Sequence, residues 1–312
     1  MTPQLQSLNQ RLCEVLESLL HTPYPHVPNP PDCTKRASVA LILRIRPNYA
    51  DRVAIAKDLA QAEQGPPPQP DSLAGFFEQQ WVQRGESEIL FIKRTGRAGD
   101  RWSGHTALPG GGRDPIDIDD HATAVRETME EVGLDLTRTG SIYSGKLPER
   151  LITTTWGKKG HGTTPLNWLS QVLTASLRLM VLCPFVFVLT DPESPSLIPQ
   201  PTEVAATHWV PLRALLSPSL RTHEHVDVSS RLGRKPGPLT KILTRLLLGK
   251  MVFSAIRLIP SESVFAPAVS QPSPEQQTES AGLSVSTGSD WKPSIAAQPG
   301  PTLLWVESTP RR

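Results

Sequence analysis

The chain has 312 residues, with 32 Lys or Arg against 30 Asp or Glu, a formal net charge of +2. That balance gives no overall field for gripping a nucleic-acid backbone or an anionic membrane, so any anion recognition has to be local. The 32 prolines and the long Pro/Ser/Gln stretches cannot all enter a core, which reduces the roughly two domains suggested by length to one domain with tails.

At the N-terminus, Leu5, Leu8, Leu12, Val15, Leu16 and Leu19 recur at helical spacing among Glu14, Glu17 and a single arginine. The stretch 1–32 therefore reads as an amphipathic helix and linker, packing on the domain or on a partner, and neither as a secretory signal nor as an Arg-rich transit peptide. Cys13, Cys33 and Cys183 lie far apart with no CxxC pair. They offer neither a disulfide framework nor a zinc site and fit a reducing compartment. The expected location is cytoplasmic, with mitochondrion or peroxisome left open and secretion excluded.

"SVALILRI" (38–45) and "SEILFIKR" (87–94) have the apolar, β-branched composition of strands. Between them the Pro-rich stretch makes 50–86 a surface insertion. A second insertion, Gly/Lys/Thr-rich, covers 145–177. "LMVLCPFVFVL" (179–189) is the most apolar run. It falls well short of the ~20 residues a spanning helix needs and carries Pro184, so it reads as a buried strand and no membrane segment is expected. In "PTEVAATHWVPLRALL", Val204, Ala206 and Trp209 mark a strand feeding a helix that starts at Pro211. "PLTKILTRLLLGK" places Leu239, Ile242, Leu243, Leu246 and Leu247 on one helical stripe, and "MVFSAIRLIP" reads as a last strand. From 263 to 312 the chain lacks periodicity and reads as a disordered Pro/Ser-rich tail. The domain thus spans 33–262, and its irregular alternation predicts an α/β fold with a mixed sheet sandwiched by helices.

The sharpest local feature is "RETMEEVGL" (126–134). On a helix turning about 100° per residue, Glu127, Glu130 and Glu131 share a wedge, opposite Ala122, Val125, Met129 and Val132, which are assigned to the core. Like charges there cost roughly 0.2–0.5 kcal/mol per pair, with local relief from Arg126 alone. Such a wedge is either a solvated acidic face or part of the oxygen shell of a hard divalent cation. The preceding "ALPGGGRDP" sets Gly110, Gly111 and Gly112 after a strand, where backbone can approach a ligand or metal closely. Asp117, Asp119 and Asp120 read as caps of the following helix, and Gly133 as its stop.

These residues resemble the Nudix box: glycine, five residues, glutamate, seven residues, then Arg-Glu-aliphatic-x-Glu-Glu-x-Gly-aliphatic. Gly112, Arg126, Glu127, Glu130, Glu131, Gly133 and Leu134 match, while Ile118 replaces the first glutamate and Thr128 the aliphatic residue. "PGGGRDPID" and "TAVRE" are similar to the coenzyme A pyrophosphatase branch, and flanking likeness runs from about Ala37 to Leu216. Trp102 and His105 depart from that branch's signature, standing where it has His and Gln.

The resemblance implies an α/β/α Nudix sandwich and Mg²⁺- or Mn²⁺-dependent hydrolysis of a small-molecule diphosphate. The substrate expected is coenzyme A or an acyl-coenzyme A. ADP-ribose or dinucleotide hydrolysis, or a non-enzymatic nucleotide sensor, are the alternatives. It further implies that Glu127, Glu130 and Glu131 hold the metal with a carbonyl of the glycine run, assigned to Gly111. Glu130 and Glu131 would serve catalysis, Arg126 would orient a glutamate of the box, and Glu203 is the candidate general base. Arg94, Arg101, His105, Gly110 and Gly112 are candidate substrate contacts, with Arg97 a further phosphate-binding candidate. His121 reads as a surface residue. The basic "RLGRK" (231–235) lacks the aromatics that stack bases, so no nucleic acid is expected.

Overall fold

The computed structural model describes residues 3–61, 72–96, 104–138, 140–154, 177–227, 250–267 and 303–306. At its centre stands β1 (Arg36–Arg46), an eleven-residue strand paired parallel with one neighbour and antiparallel with the others. The antiparallel neighbours are β2 (Glu86–Arg94) and, further along the same edge, the glycine strand β4 (Gly110–Gly112). The two-residue β3 (Thr106–Ala107) folds back onto β2. On the other side lies the parallel β7 (Leu177–Leu189), which receives β5 (Ser141–Lys146) and β6 (Arg150–Thr154) in turn. Then β8 (Val204–Pro211) pairs with β2, and the sheet ends on β11 (Glu262–Phe265). The result is the mixed sheet expected from sequence, with order β11-β8-β2-β1-β7-β5.

Pro184 does not interrupt β7. The partner on that side changes from β5 to β6 around it, with Phe185 opposite Lys146 and Leu182 opposite Arg150. The carbonyl of Pro184 still accepts the Leu147 N–H at 2.9 Å, so its missing donor falls at a break where no ladder bond requires it.

Alternate strand residues feed two cores. Ala40, Ile42, Leu90, Ile92, Phe187 and Trp209 face Ala124 and Val132 of α5 (Asp120–Val132). Leu43, Ile45, Ile89, Phe91 and Val210 face the other layer, built from α1 (Pro3–His21), α3 (Leu73–Glu78) and α4 (Gln80–Arg84). The period of two along each strand makes helix-sheet-helix the arrangement that hides both sets.

Several expectations change. The stretch 50–86 is not a surface insertion throughout. After α2 (Tyr49–Gln61), Ser72 caps α3 by accepting the Gly75 N–H, and Leu73, Phe76 and Val82 are buried. Phe76 meets Phe77 and Trp81 edge to face, so the aromatics that follow the prolines belong to the core. The N-terminal helix packs on the domain itself, through Leu16 and Leu19 and the buried Asn9. Asn9 donates to the Val82 carbonyl at 2.7 Å and the Gly85 carbonyl at 3.0 Å and accepts from the Ser87 hydroxyl.

The strand read at "MVFSAIRLIP" is β10 (Lys250–Arg257), but it is neither the last nor part of the main sheet. It pairs with β9 (Arg221–Asp227) and with β12 (Leu303–Val306), so the tail assigned to disorder contributes one strand there and β11 at the main sheet's edge. The five-residue α6 (Leu212–Leu216) starts after Pro211, which is its cap residue. The helical stripe at 239–247 and residues 155–176 of the second insertion lie outside the described residues, while the described ends of that insertion hold the end of β5, the strand β6 and the start of β7. Among the described residues, no helix is long and apolar enough to cross a membrane.

Candidate active site

The site lies along the seam between β4 and α5. Backbone bonds from the Ala40 N–H to the Pro109 carbonyl and from the Arg113 N–H to the Arg36 carbonyl frame the pair Ser38–Gly111. In an antiparallel ladder alternate residues turn their groups toward the partner, so Gly111 faces β1 while Gly110 and Gly112 face away from it. Both outward glycines are engaged: the Gly110 N–H donates to Glu131 Oε2 at 2.8 Å, and the Gly112 carbonyl accepts from Arg126 Nη2 at 3.2 Å. Gly110 has φ of +148°, and a Cβ there would lie 2.2 Å from the Ser38 carbonyl oxygen. A Cβ on Gly111 would lie 2.5 Å from the carboxyl carbon and both oxygens of Glu127. At Gly110 the β1 backbone leaves no room for a side chain, and at Gly111 a side chain would displace the Glu127 carboxylate.

Helix α5 begins at Asp119, whose carboxylate accepts the Ala122 N–H at 2.7 Å, and ends at Gly133, left-handed at φ 69°. Of the three aspartates expected as caps, Asp119 alone fills that role at the N-cap. Asp120 accepts from Arg36 Nε at 2.8 Å, and Asp117 accepts from Arg126. The core face also differs from expectation. Thr123, Ala124, Thr128, Glu131 and Val132 are buried, whereas Met129 is half exposed. The glutamates therefore flank the buried face instead of opposing it, because β4 covers the side of the helix that carries Glu127 and Glu131.

The three glutamates occupy three environments. Glu131 is only 1% exposed, and burial pushes its pKa up to about 7 against the opposing effects of the Gly110 N–H and Arg94. Burial also raises Glu127, though Arg126 pulls the other way. Glu130 is exposed and pairs with Arg126 Nη1 at 2.8 Å. Arg126 also donates through Nε and Nη2 to Asp117 at 2.8 and 3.0 Å, and its Nη2 lies 3.1 Å from Glu127.

Glu203 arrives from the other side. The Ile198 N–H bonds the Val132 carbonyl and the Gln200 N–H the Glu131 carbonyl, so the segment before β8 is tied to the end of α5. The Glu203 carbonyl accepts the Thr95 N–H at 2.8 Å, and its negative charge raises the pKa of both Glu127 and Glu131. Arg94 Nη1 stands 3.7 Å from Glu131 Oε1. The His105 carbonyl accepts the Arg94 N–H at 2.9 Å, which brings that loop to the same end of β2. Arg97, Arg101 and Trp102 lie outside the described residues.

Glu127, Glu130 and Glu131, with the outward carbonyl of Gly110, offer oxygen donors of the kind hard divalent cations take, although Glu130 is turned to Arg126 and the three carboxylates do not all meet within 4.8 Å of one another. Among the described residues, the group whose ligand atoms do lie within 4.8 Å of one another is His26, Asp120 and Glu149, and it is filled from within. Arg36 bonds Asp120 at 2.8 Å and Glu149 at 2.7 Å, and Lys146 bonds Glu149 at 3.0 Å. Burial alone would raise Glu149, but the Val27 N–H, Arg36 and Lys146 outweigh it and bring it to about 2. His121, expected at the surface, packs among Tyr143, Phe185 and Phe187, and burial lowers its pKa.

Residues 81–232 match the family model described as the NUDIX domain. An uncharacterized protein of Schizosaccharomyces pombe is 41% identical over 170 residues, 54% of this chain and 46% of that one. The peroxisomal coenzyme A diphosphatase NUDT7 of Mus musculus is 48% identical over 50 residues, 16% of this chain and 21% of that one. The chain thus spans less than half the length of either relative. Among solved structures, a Nudix hydrolase from M. smegmatis, RenU, is 16% identical with a TM-score of 0.29, covering 68% of this chain and 84% of that one. The fold therefore rests on the strands and helices described above.

Proposed function

We propose, from the premise that the chain belongs to the Nudix superfamily through the domain at residues 81–232, that it hydrolyses the pyrophosphate bond of a nucleoside diphosphate derivative with Mg²⁺ or Mn²⁺. Coenzyme A or an acyl-coenzyme A is the substrate class put forward, supported by the "PGGGRDPID" and "TAVRE" runs and by the short similarity to a coenzyme A diphosphatase. The observation that carries the proposal is the convergence of Glu127 and Glu131 on a glycine strand where a Cβ would strike backbone at Gly110 and the Glu127 carboxylate at Gly111.

In this reading Glu127, Glu130 and Glu131 hold the ion, and the carbonyl ligand is that of Gly110 in place of Gly111, whose groups are turned into the β1 ladder. A divalent ion in that position supplies charge neutralisation for the diphosphate oxygens and a lowered pKa for the attacking water. The protein supplies the geometry. Gly110 fixes one oxygen of Glu131, Arg126 fixes Glu130 and Glu127, and Glu203 faces the pair as the base that takes the water's proton. Arg94, whose Nη1 lies 3.7 Å from Glu131 Oε1, is assigned to meet the substrate's phosphate.

Turnover of coenzyme A, acyl-coenzyme A, ADP-ribose, NADH and diadenosine polyphosphates with each metal tests the reading. Metal-dependent release of phosphorylated products is expected, preferentially from coenzyme A compounds, and Glu130→Gln should suppress it by orders of magnitude. Normal turnover by that variant would refute the assignment, and preference for ADP-ribose would refute the substrate class.

A further inference from the structure

On the face of the sheet away from α5, the helices of the second core leave a cleft of about 250 Å³ between them. Gln10, Cys13 and Glu17 line it from α1, Phe77 and Glu78 from α3, and Gln83 from α4. Positions 10, 13 and 17 fall three and four apart, which sets the α1 residues on one helix face. The walls are firm. Asn9, also at the cleft, is held by the Val82 and Gly85 carbonyls and the Ser87 hydroxyl, and the buried Phe77 packs edge to face on Phe76.

The charge of the cleft has one sign. Glu17 is half-buried and Glu78 exposed, and among the described residues neither is in an ion pair. Gln83 gives an amide N–H to the Glu78 carbonyl at 3.3 Å, which leaves its side-chain oxygen as an acceptor. Burial, then Glu17, Glu14 and Glu78, push the Cys13 thiol up, and no cation acts on it in the other direction. In a chain whose net charge is +2, the cleft is a local region of negative potential.

Its dimensions narrow what it takes. Cys13, Glu17 and Glu78 do not bring their ligand atoms within 4.8 Å of one another, so they do not close on a single metal ion. The volume is under the roughly 300–1,000 Å³ of pockets that enclose whole drug-sized ligands, and suits one side chain. Phe77 and Ala74 offer apolar surface for an alkyl stem, and the two carboxylates offer acceptors for its head. Arginine fits better than lysine, since its planar fork presents five donors and sheds water more readily than an ammonium. One such side chain alone reaches only millimolar affinity, so occupancy needs the further contacts of a polypeptide.

We propose that this cleft docks an arginine side chain of a partner polypeptide, with the stem along Phe77 and Ala74 and the guanidinium between Glu17 and Glu78. The site lies on the opposite face of the sheet from α5 and stands apart from the hydrolase reading.

Cys13 reports on occupancy, because Cys33 and Cys183 are buried. In the full-length protein its labelling by a cationic and by an anionic methanethiosulfonate is followed by mass spectrometry, with acetyl-glycyl-arginyl-glycine amide, the same peptide carrying citrulline, or agmatine as competitor. The cationic reagent should react about tenfold faster or more, the lower end of electrostatic focusing in a charged cleft. The arginine peptide at millimolar concentration should slow labelling several-fold, and the citrulline peptide should not. Glu17→Gln and Glu78→Gln, each folded by circular dichroism, should reduce both effects. Equal rates for the two reagents, protection by the citrulline peptide, or protection that survives in both variants would overturn the proposal. Agmatine protecting better than the arginine peptide would overturn the polypeptide source. Should Cys13 resist both reagents, calorimetry with the arginine peptide decides: binding by wild type that weakens in Glu17→Gln supports the site, and no binding, or equal binding by both, overturns it.

Discussion

Glu131 combines burial with a single backbone donor, and that pairing has a measurable consequence for the metal-free protein. Its unfolded pKa is near 4.5 and its folded value about 7. Below pH 4.5 the proton is bound in both states. Between the two values only the folded state keeps it, so folding stability falls by about 1.4 kcal/mol per pH unit as pH rises. Above pH 7 the cost is constant at about 3 kcal/mol. Glu131→Gln, which keeps an acceptor for the Gly110 N–H, should therefore be more stable than wild type at pH 8 in EDTA, with the gain vanishing near pH 4.5. Denaturant unfolding at the two pH values measures this, and an equal difference at both would contradict it. At Gly111 the prediction is steric: Gly111→Ala places a Cβ 2.5 Å from the Glu127 carboxylate, which has to move. Mn²⁺ affinity should fall at least tenfold while the melting temperature changes little, and retained affinity would remove Glu127 from the ligand set.

At the level of elements, α1 is part of the domain, because Asn9 satisfies two carbonyls of the α4–β2 turn from inside the contact. Asn9→Leu leaves the Gly85 carbonyl and the Ser87 hydroxyl without that partner, while the Val82 carbonyl keeps the Gly85 N–H, at a cost of about 1–3 kcal/mol per unsatisfied group. A loss of at least about 2 kcal/mol in denaturant unfolding is expected, and a neutral variant would mean that the helix does not dock as described. Phe76→Ala, which removes a fully buried ring from the aromatic cluster, should cost about 3–5 kcal/mol on the same assay.

The main strands were legible because β1, β2, β7 and β8 carry apolar, β-branched runs. The α3–α4 layer was not, since six and five residues give too little helical periodicity to register and the prolines before them read as loop. In the site, the glycine run and the three glutamates stood out by spacing. The burial of Glu131 did not, because it depends on β4 packing against the helix, a contact between two layers of the fold. Asp117 read as a cap for the same reason: the residue that claims it, Arg126, is nine positions away.

For the molecule as a whole, a net charge of +2 spread over 312 residues supplies little long-range attraction for a polyanion, so the proposed function requires affinity from local contacts such as those at the seam between β4 and α5. A folded state that holds a divalent ion there while the unfolded chain does not is stabilised by mass action, by about 2.7 kcal/mol when the ion is at a hundred times its Kd. Mn²⁺ should accordingly raise the melting temperature of wild type, and much less that of Glu131→Gln. The most direct measurement is calorimetric titration of Mn²⁺ into the folded full-length protein with coenzyme A present. Saturable uptake by wild type that weakens at least tenfold in Glu127→Gln and Glu131→Gln is the predicted result; no uptake by wild type, or equal uptake by all three, would contradict it.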